Sequence, residues 1–172
     1  MFENIKKDIK ASCDNAVTLK KLVWLFFAST DFKVVLRYRI NNWLYRHGLK
    51  YLAFYGGYLA KKKYGVEISP MAHIGPGFRL VHGLGTVIGN NSRVGANCTI
   101  YQQVTLGTAN VQKGRIDYPV IEDGVVLYAG SKIIGDIRVR KGAVVAANAV
   151  VVRDVEEGTV VGGIPARVLE KG

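Results

Sequence analysis

Few side chains in this 172-residue sequence can move a proton near neutral pH: three histidines, His47, His73 and His82, and two cysteines, Cys13 and Cys98. An imidazole of ordinary pKa, ~6.5, is mostly neutral at pH 7 and can accept a proton from an attacking hydroxyl, a role typically worth ~10²–10⁴ in rate. Only His82 stands in a run unlike its surroundings, Val81-His82-Gly83-Leu84-Gly85-Thr86. His73 directly precedes an aliphatic repeat position and reads as structural. Two cysteines are too few for a disulfide framework, which points to a reducing compartment.

The elements that must position these groups change near residue 66. Ahead of it, apolar residues recur at helical spacing (Val34, Val35, Tyr38, Trp43, Leu44), and only 4 of the 20 glycines occur in residues 1–67. Beyond it, aliphatic residues recur every six positions. The series runs Ile68, Ile74, Leu80; slips by two to Ile88, Val94, Ile100, Leu106; then, after a longer break, continues Ile121, Leu127, Ile133, Val139, Val145, Val151. Four residues on, the side chain is usually small: Ala72, Ser92, Cys98, Ser131, Ala143, Ala149. Period six predicts a parallel β-helix in which three hexapeptides form one triangular coil, with the aliphatic residue inside and the small one filling the remaining interior. Cys98 takes that small inward slot and reads as an inert core residue. The two breaks, at 81–86 and 107–120, are where loops can carry function.

Charge is uneven: residues 1–67 hold 13 basic and 5 acidic side chains, a net of +8 within a total of +11. Such a block suits an anionic partner, but the chain has no recognised nucleic-acid module despite a pI near 9.7. The longest apolar runs, Leu22–Ala28 and Tyr51–Ala60, are bounded by charge well short of the roughly 20 residues a membrane span needs. Cytoplasmic localisation is the expectation. The interleaving of Trp24, Phe26, Phe27, Trp43, Tyr45 and Tyr51 with Lys and Arg fits either a helical cap on the prism and its subunit contacts or peripheral contact with a membrane face.

Over about 100 residues, from Val66-Glu-Ile-Ser-Pro to Pro165-Ala-Arg167, the sequence resembles the hexapeptide-repeat acyltransferases. The motifs are Ile68-x-Pro70, Ile74-Gly-x-Gly77, His82-Gly83, Val104-Thr-Leu-Gly107 and Gly163-Ile-Pro-Ala-Arg167. The nearest likeness is to the serine acetyltransferase-like branch, among colanic-acid and capsule O-acetyltransferases. The resemblance implies a mainly β fold, a left-handed parallel β-helix over 67–172 behind a helical region at 1–66, with an arm at 107–120 and a C-terminal tail. It implies a homotrimer with sites between subunits, acetyl-CoA as co-substrate and no metal; the three converging histidines of a zinc-dependent relative are lacking, since His47 lies outside the repeat.

By the same resemblance His82 is the general base and Glu67, fifteen residues earlier, the carboxylate that orients it, standing where serine acetyltransferases carry aspartate. Ala129 and Ala147 would line the pantetheine groove and Arg167 would meet the nucleotide phosphates. The tetrahedral oxyanion formed from the cofactor's thioester needs a donor; no side chain stands out, and the backbone N–H of Gly107, which opens the arm, is the candidate. The chain departs from the serine enzymes at Val81, where they carry an acidic residue, and in the arm, which reads Asp117-Tyr118-Pro119 instead of Arg-His-Pro. Val81, Arg115, Asp117 and Tyr118 are acceptor-site candidates by position. These departures favour a neutral acceptor, a hydroxyl of a free or lipid-linked saccharide in capsule or exopolysaccharide synthesis; the alternative is serine.

Overall fold

A computed structural model describes residues 1–14, 16–109 and 117–169. Four helices come first: α1 (Phe2–Ser12), α2 (Leu19–Phe27), α3 (Thr30–Arg46) and α4 (Lys50–Tyr64). Hydroxyls start two of them. Thr18 Oγ1 accepts from the Lys21 N–H at 3.3 Å, and Ser29 Oγ from that of Phe32 at 3.2 Å. Helix α4 ends on Gly65, whose φ of 64° releases the chain into the first strand.

The strands are short: β1 (Glu67–Ile68), β2 (His73–Ile74), β3 (Arg79–Val81), β4 (Val87–Ile88), β5 (Arg93–Val94), β6 (Thr99–Tyr101), β7 (Thr105–Gly107), β8 (Val120–Ile121), β9 (Val126–Leu127), β10 (Lys132–Ile134), β11 (Arg138–Val139), β12 (Val144–Val145), β13 (Val150–Val151), β14 (Val160–Gly162) and β15 (Arg167–Val168). They form three parallel faces. The first is β1-β4-β7-β10-β13, the second β2-β5-β8-β11, and the third β3-β6-β9-β12-β14, where β15 adds antiparallel to β14. This is the expected parallel β-helix, with four full coils and the start of a fifth.

The hexad register explains the core. Ile68, Ile88, Leu106, Ile133 and Val151 stack inside the first face through successive strand pairings. The thirteen repeat positions are all buried, none more than 7% exposed, and the small residues Ala72, Ser92, Cys98, Ser131, Ala143 and Ala149 are fully enclosed. Each aliphatic side chain so buried contributes about 1.5–3 kcal/mol of transfer free energy.

Helix α3 lies against the first coil through polar side chains. The Tyr38 hydroxyl donates to the Ala72 carbonyl at 2.8 Å and accepts from the Ile74 N–H at 3.1 Å. Asn42 Nδ2 donates to the carbonyls of Pro70 and Ala72. Arg39 donates to the carbonyls of Ile74 and Gly75 and to both carboxylate oxygens of Asp8 in α1. Among the described residues no helix is long and apolar enough to cross a membrane.

Candidate active site

The two breaks in the repeat open on different prism edges. The run 82–86 joins β3 on the third face to β4 on the first, so His82 stands on the third-to-first edge. The longer break joins β7 on the first face to β8 on the second and lies on the first-to-second edge.

On the third-to-first edge, successive coils stack Leu84, Gln102, Ala129 and Ala147. The Gln103 N–H donates to the Leu84 carbonyl at 3.0 Å, Gly130 to Gln102 at 2.9 Å, and Asn148 to Ala129 at 2.8 Å. The residue after each slot is left-handed: Gly85, Gln103, Gly130 and Asn148, with φ of 76°, 58°, 73° and 57°. His82, at φ 52°, is an additional left-handed residue that the two-residue slip introduces ahead of this column. Its side chain is exposed, whereas Gly83 is buried. A Cβ on Gly83 would sit 2.5 Å from Leu80 Cδ2, so any larger residue there has to displace the buried Leu80 side chain. At the far end the tail folds over the same edge: the Val150 N–H donates to the Gly163 carbonyl at 3.0 Å and the Ala166 N–H to Val150 at 2.8 Å. Arg167 follows, exposed, in β15.

The remaining predicted residues divide between this edge and the arm. Val81 ends β3 in register with Tyr101 on the third face. Glu67 opens β1, its N–H bonded to the Thr86 carbonyl at 2.9 Å, one coil from the His82 loop. Its carboxylate does not hold the imidazole as expected. Oε2 lies 2.6 Å from Lys61 Nζ of α4, an ion pair about half exposed to solvent, because the last turn of α4 passes directly over β1. Gly107 and Tyr118 lie on the other edge. The Gly107 carbonyl accepts from Gly135 at 3.0 Å, and the Tyr118 ring covers Gly89, where a Cβ would sit 2.2 Å from Cε1. Asp117 is half-buried beside it. Arg115 falls outside the described residues.

Two residues of the His82 surroundings escaped the sequence reading. Both carboxylate oxygens of Asp31, in the first turn of α3, accept backbone N–H groups of the His82 loop, from His82 at 3.0 Å and Gly83 at 2.9 Å. No periodic signal links position 31 to position 82. Gln102 takes the slot one coil below Ala129, and its buried Oε1 has no hydrogen-bond partner. Extending the alanine column by one coil would have found it.

A groove of about 1060 Å³ lies elsewhere, between α1, α3 and the second face; it is lined by His47 and His73 among others and by none of the predicted site residues. No group of three or more metal-ligating side chains occurs among the described residues. Burial pushes the Cys98 thiol up to about 11, which suits its core position and not a nucleophile.

No family model matches the chain. It is 34% identical over 168 residues to the serine acetyltransferase of Bacillus licheniformis, covering 98% of this chain and 77% of that protein. The crystal structure of serine acetyltransferase from Vibrio cholerae superposes with a TM-score of 0.88 at 36% identity, over 97% of this chain and 64% of that one. A serine acetyltransferase from Brucella abortus, solved in complex with coenzyme A, gives a TM-score of 0.88 at 31% identity, over 96% and 66%. The chain thus spans about two thirds of these solved structures. These likenesses include the N-terminal helices and overturn the expected closeness to colanic-acid and capsule enzymes, and with it the expected saccharide acceptor. That expectation rested on two local departures, Val81 and the arm motif, which weigh less than similarity over nearly the whole chain.

Proposed function

The chain belongs to the serine acetyltransferase family, and from that premise we propose that it transfers the acetyl group of acetyl-CoA to the hydroxyl of serine. A ring nitrogen of His82 takes the hydroxyl proton as the oxygen attacks the thioester carbonyl. The tetrahedral intermediate collapses with cleavage of the C–S bond, and the proton passes to the departing thiolate. Glu67, one coil away and ion-paired to Lys61, would have to leave that cation to orient the resulting imidazolium.

The observation that carries this reading is the column on the His82 edge. Coils stack at ~4.8 Å, so Ala147, three coils above the His82 loop, lies about 14 Å along the axis. Exposed His82 at one end, small Ala129 and Ala147 along the column and Arg167 beyond the tail suit a ligand with a reactive thioester, a long amide-bearing arm and terminal phosphates. The buried, unpaired Gln102 Oε1 would have to rotate outward to accept from an amide N–H of that arm.

The arm candidates Gly107, Asp117 and Tyr118 lie on another edge of the same prism. A homotrimer, in which the arm of one protomer faces the His82 edge of the next, brings both sets to one cleft. Arg115 and Asp117 then carry the charges that suit the carboxylate and ammonium of serine, with Val81 lining the cleft. Exposed aromatic residues such as Trp24, Phe27, Tyr51 and Tyr55 belong in this reading to subunit contacts and not to a membrane face.

Release of free thiol from acetyl-CoA, measured with serine and with a panel of sugars, tests the proposal. Serine-dependent release is expected; release with none of the acceptors, or with sugars alone, overturns it.

A further inference from the structure

We infer that Asp31 is a positioning residue for His82, so that the N-terminal helices hold the catalytic loop in its working shape. The inference rests on the reading of His82 as the base. Consecutive N–H groups at His82 and Gly83 turn toward α3 at the left-handed residue His82. They have no strand partner, and the Asp31 carboxylate takes both, one on each oxygen, at 3.0 and 2.9 Å. Two hydrogen bonds to one anion fix the orientation of the peptide planes as well as their distance. The backbone conformation at residue 82 sets the direction of its side chain, so the carboxylate aims the imidazole without touching it.

Both sides of this contact are rigid. Asp31 sits in the first turn of α3, two residues after the Ser29 cap, where the helix dipole favours a negative charge. The same helix is tied to the first coil by Tyr38, Arg39 and Asn42. On the loop side, Gly83 is packed against Leu80, and the buried Thr86 hydroxyl donates to the Tyr101 carbonyl at 3.0 Å. Residue 82 lies between these two anchored bodies, held through its N–H by the carboxylate, so loss of the bonds frees it and leaves the helix and the rest of the loop in place.

Steady-state kinetics on Asp31→Ala and Asp31→Asn test this. For Asp31→Ala, kcat with serine should fall at least tenfold while KM for acetyl-CoA and the melting temperature stay near wild type. Asp31→Asn keeps one acceptor oxygen and should recover part of the loss. An unchanged kcat in Asp31→Ala, or a loss that only tracks unfolding in both variants, overturns the inference. Hydrogen exchange of the His82 and Gly83 amides gives a readout independent of turnover: exchange should quicken in Asp31→Ala at these two amides and not at Ile74. Unchanged protection overturns the positioning role. If the wild-type protein acetylates no serine, the exchange result still decides whether Asp31 holds the loop, and the proposed reaction alone falls.

Discussion

The guanidinium of Arg39 and the carboxylate of Asp8 face each other bidentately, at 2.8 Å (Nε to Oδ2) and 3.0 Å (Nη2 to Oδ1), with side chains 5% and 1% exposed. Asp8 Oδ1 also accepts the Phe78 N–H at 3.0 Å. One ion pair thereby joins α1, α3 and the first coil. Removing only one partner leaves a buried charge uncompensated, and Asp8→Ala should cost about 3–5 kcal/mol. Urea denaturation of Asp8→Ala beside the double variant Asp8→Ala/Arg39→Met checks it; the double variant should recover part of the loss.

Substitution of His82 separates chemistry from binding. His82→Ala should lower kcat with serine by at least about a hundredfold, the usual scale for a lost general base. Coenzyme A affinity, read by calorimetry, should stay within about twofold, a difference of ~0.4 kcal/mol, because the alanine column and tail do not involve the imidazole.

The prism interior holds two polar atoms that it does not need. Ser92 Oγ and Ser131 Oγ are buried without hydrogen-bond partners. The small inward slot selects for size, and alanine fills it at positions 72, 143 and 149. Ser131→Ala should therefore be neutral or stabilising by up to about 1 kcal/mol, since it removes an unsatisfied hydroxyl. A fall in the thermal midpoint would point to a missed partner.

Alkali should unfold the protein through two enclosed acids. Burial raises Cys98 from 9.0 to about 11 and Tyr38 from 10.0 to about 12. Above pH 9 the unfolded chain releases protons that the folded chain retains, so stability falls as pH rises. The decline should begin near pH 9 with Cys98 and continue toward pH 12 with Tyr38. Urea midpoints across this range measure it, and Cys98→Ala should flatten the first part.

Light scattering tests the shared cleft. A particle of about three times 18.9 kDa is expected. A monomer that still acetylates serine would exclude an arm donated by a neighbour.

What the sequence displays well is whatever the six-residue period repeats. Ile68, Ile88 and Leu106 could be placed on one inner face because each coil imposes the same inward slot. The emergence of His82 on a turn followed from the slip between Leu80 and Ile88. Contacts made once are different. Asp31 meets residue 82 across 51 positions of chain, and only the docking of α3 on the first coil brings them together. The coil length could set Glu67 about one coil from His82, but the register of α4, which delivers Lys61 to it, carries no periodic signal. The acceptor is hard to read for a similar reason: Val81 and the 117–119 motif are isolated local departures, which count for little against a likeness over nearly the whole chain.

The antiparallel turn of β15 along β14 has a consequence for solubility. A stack of parallel strands ends in a row of unpaired amides and carbonyls, a template on which another chain can grow. Here the first coil meets α1, α3 and α4, and on the third face the last parallel strand pairs with a strand running backwards that continues no coil. A foreign parallel strand along that face meets a strand of the opposite sense in place of the next coil, and the regular stacking of coils stops there.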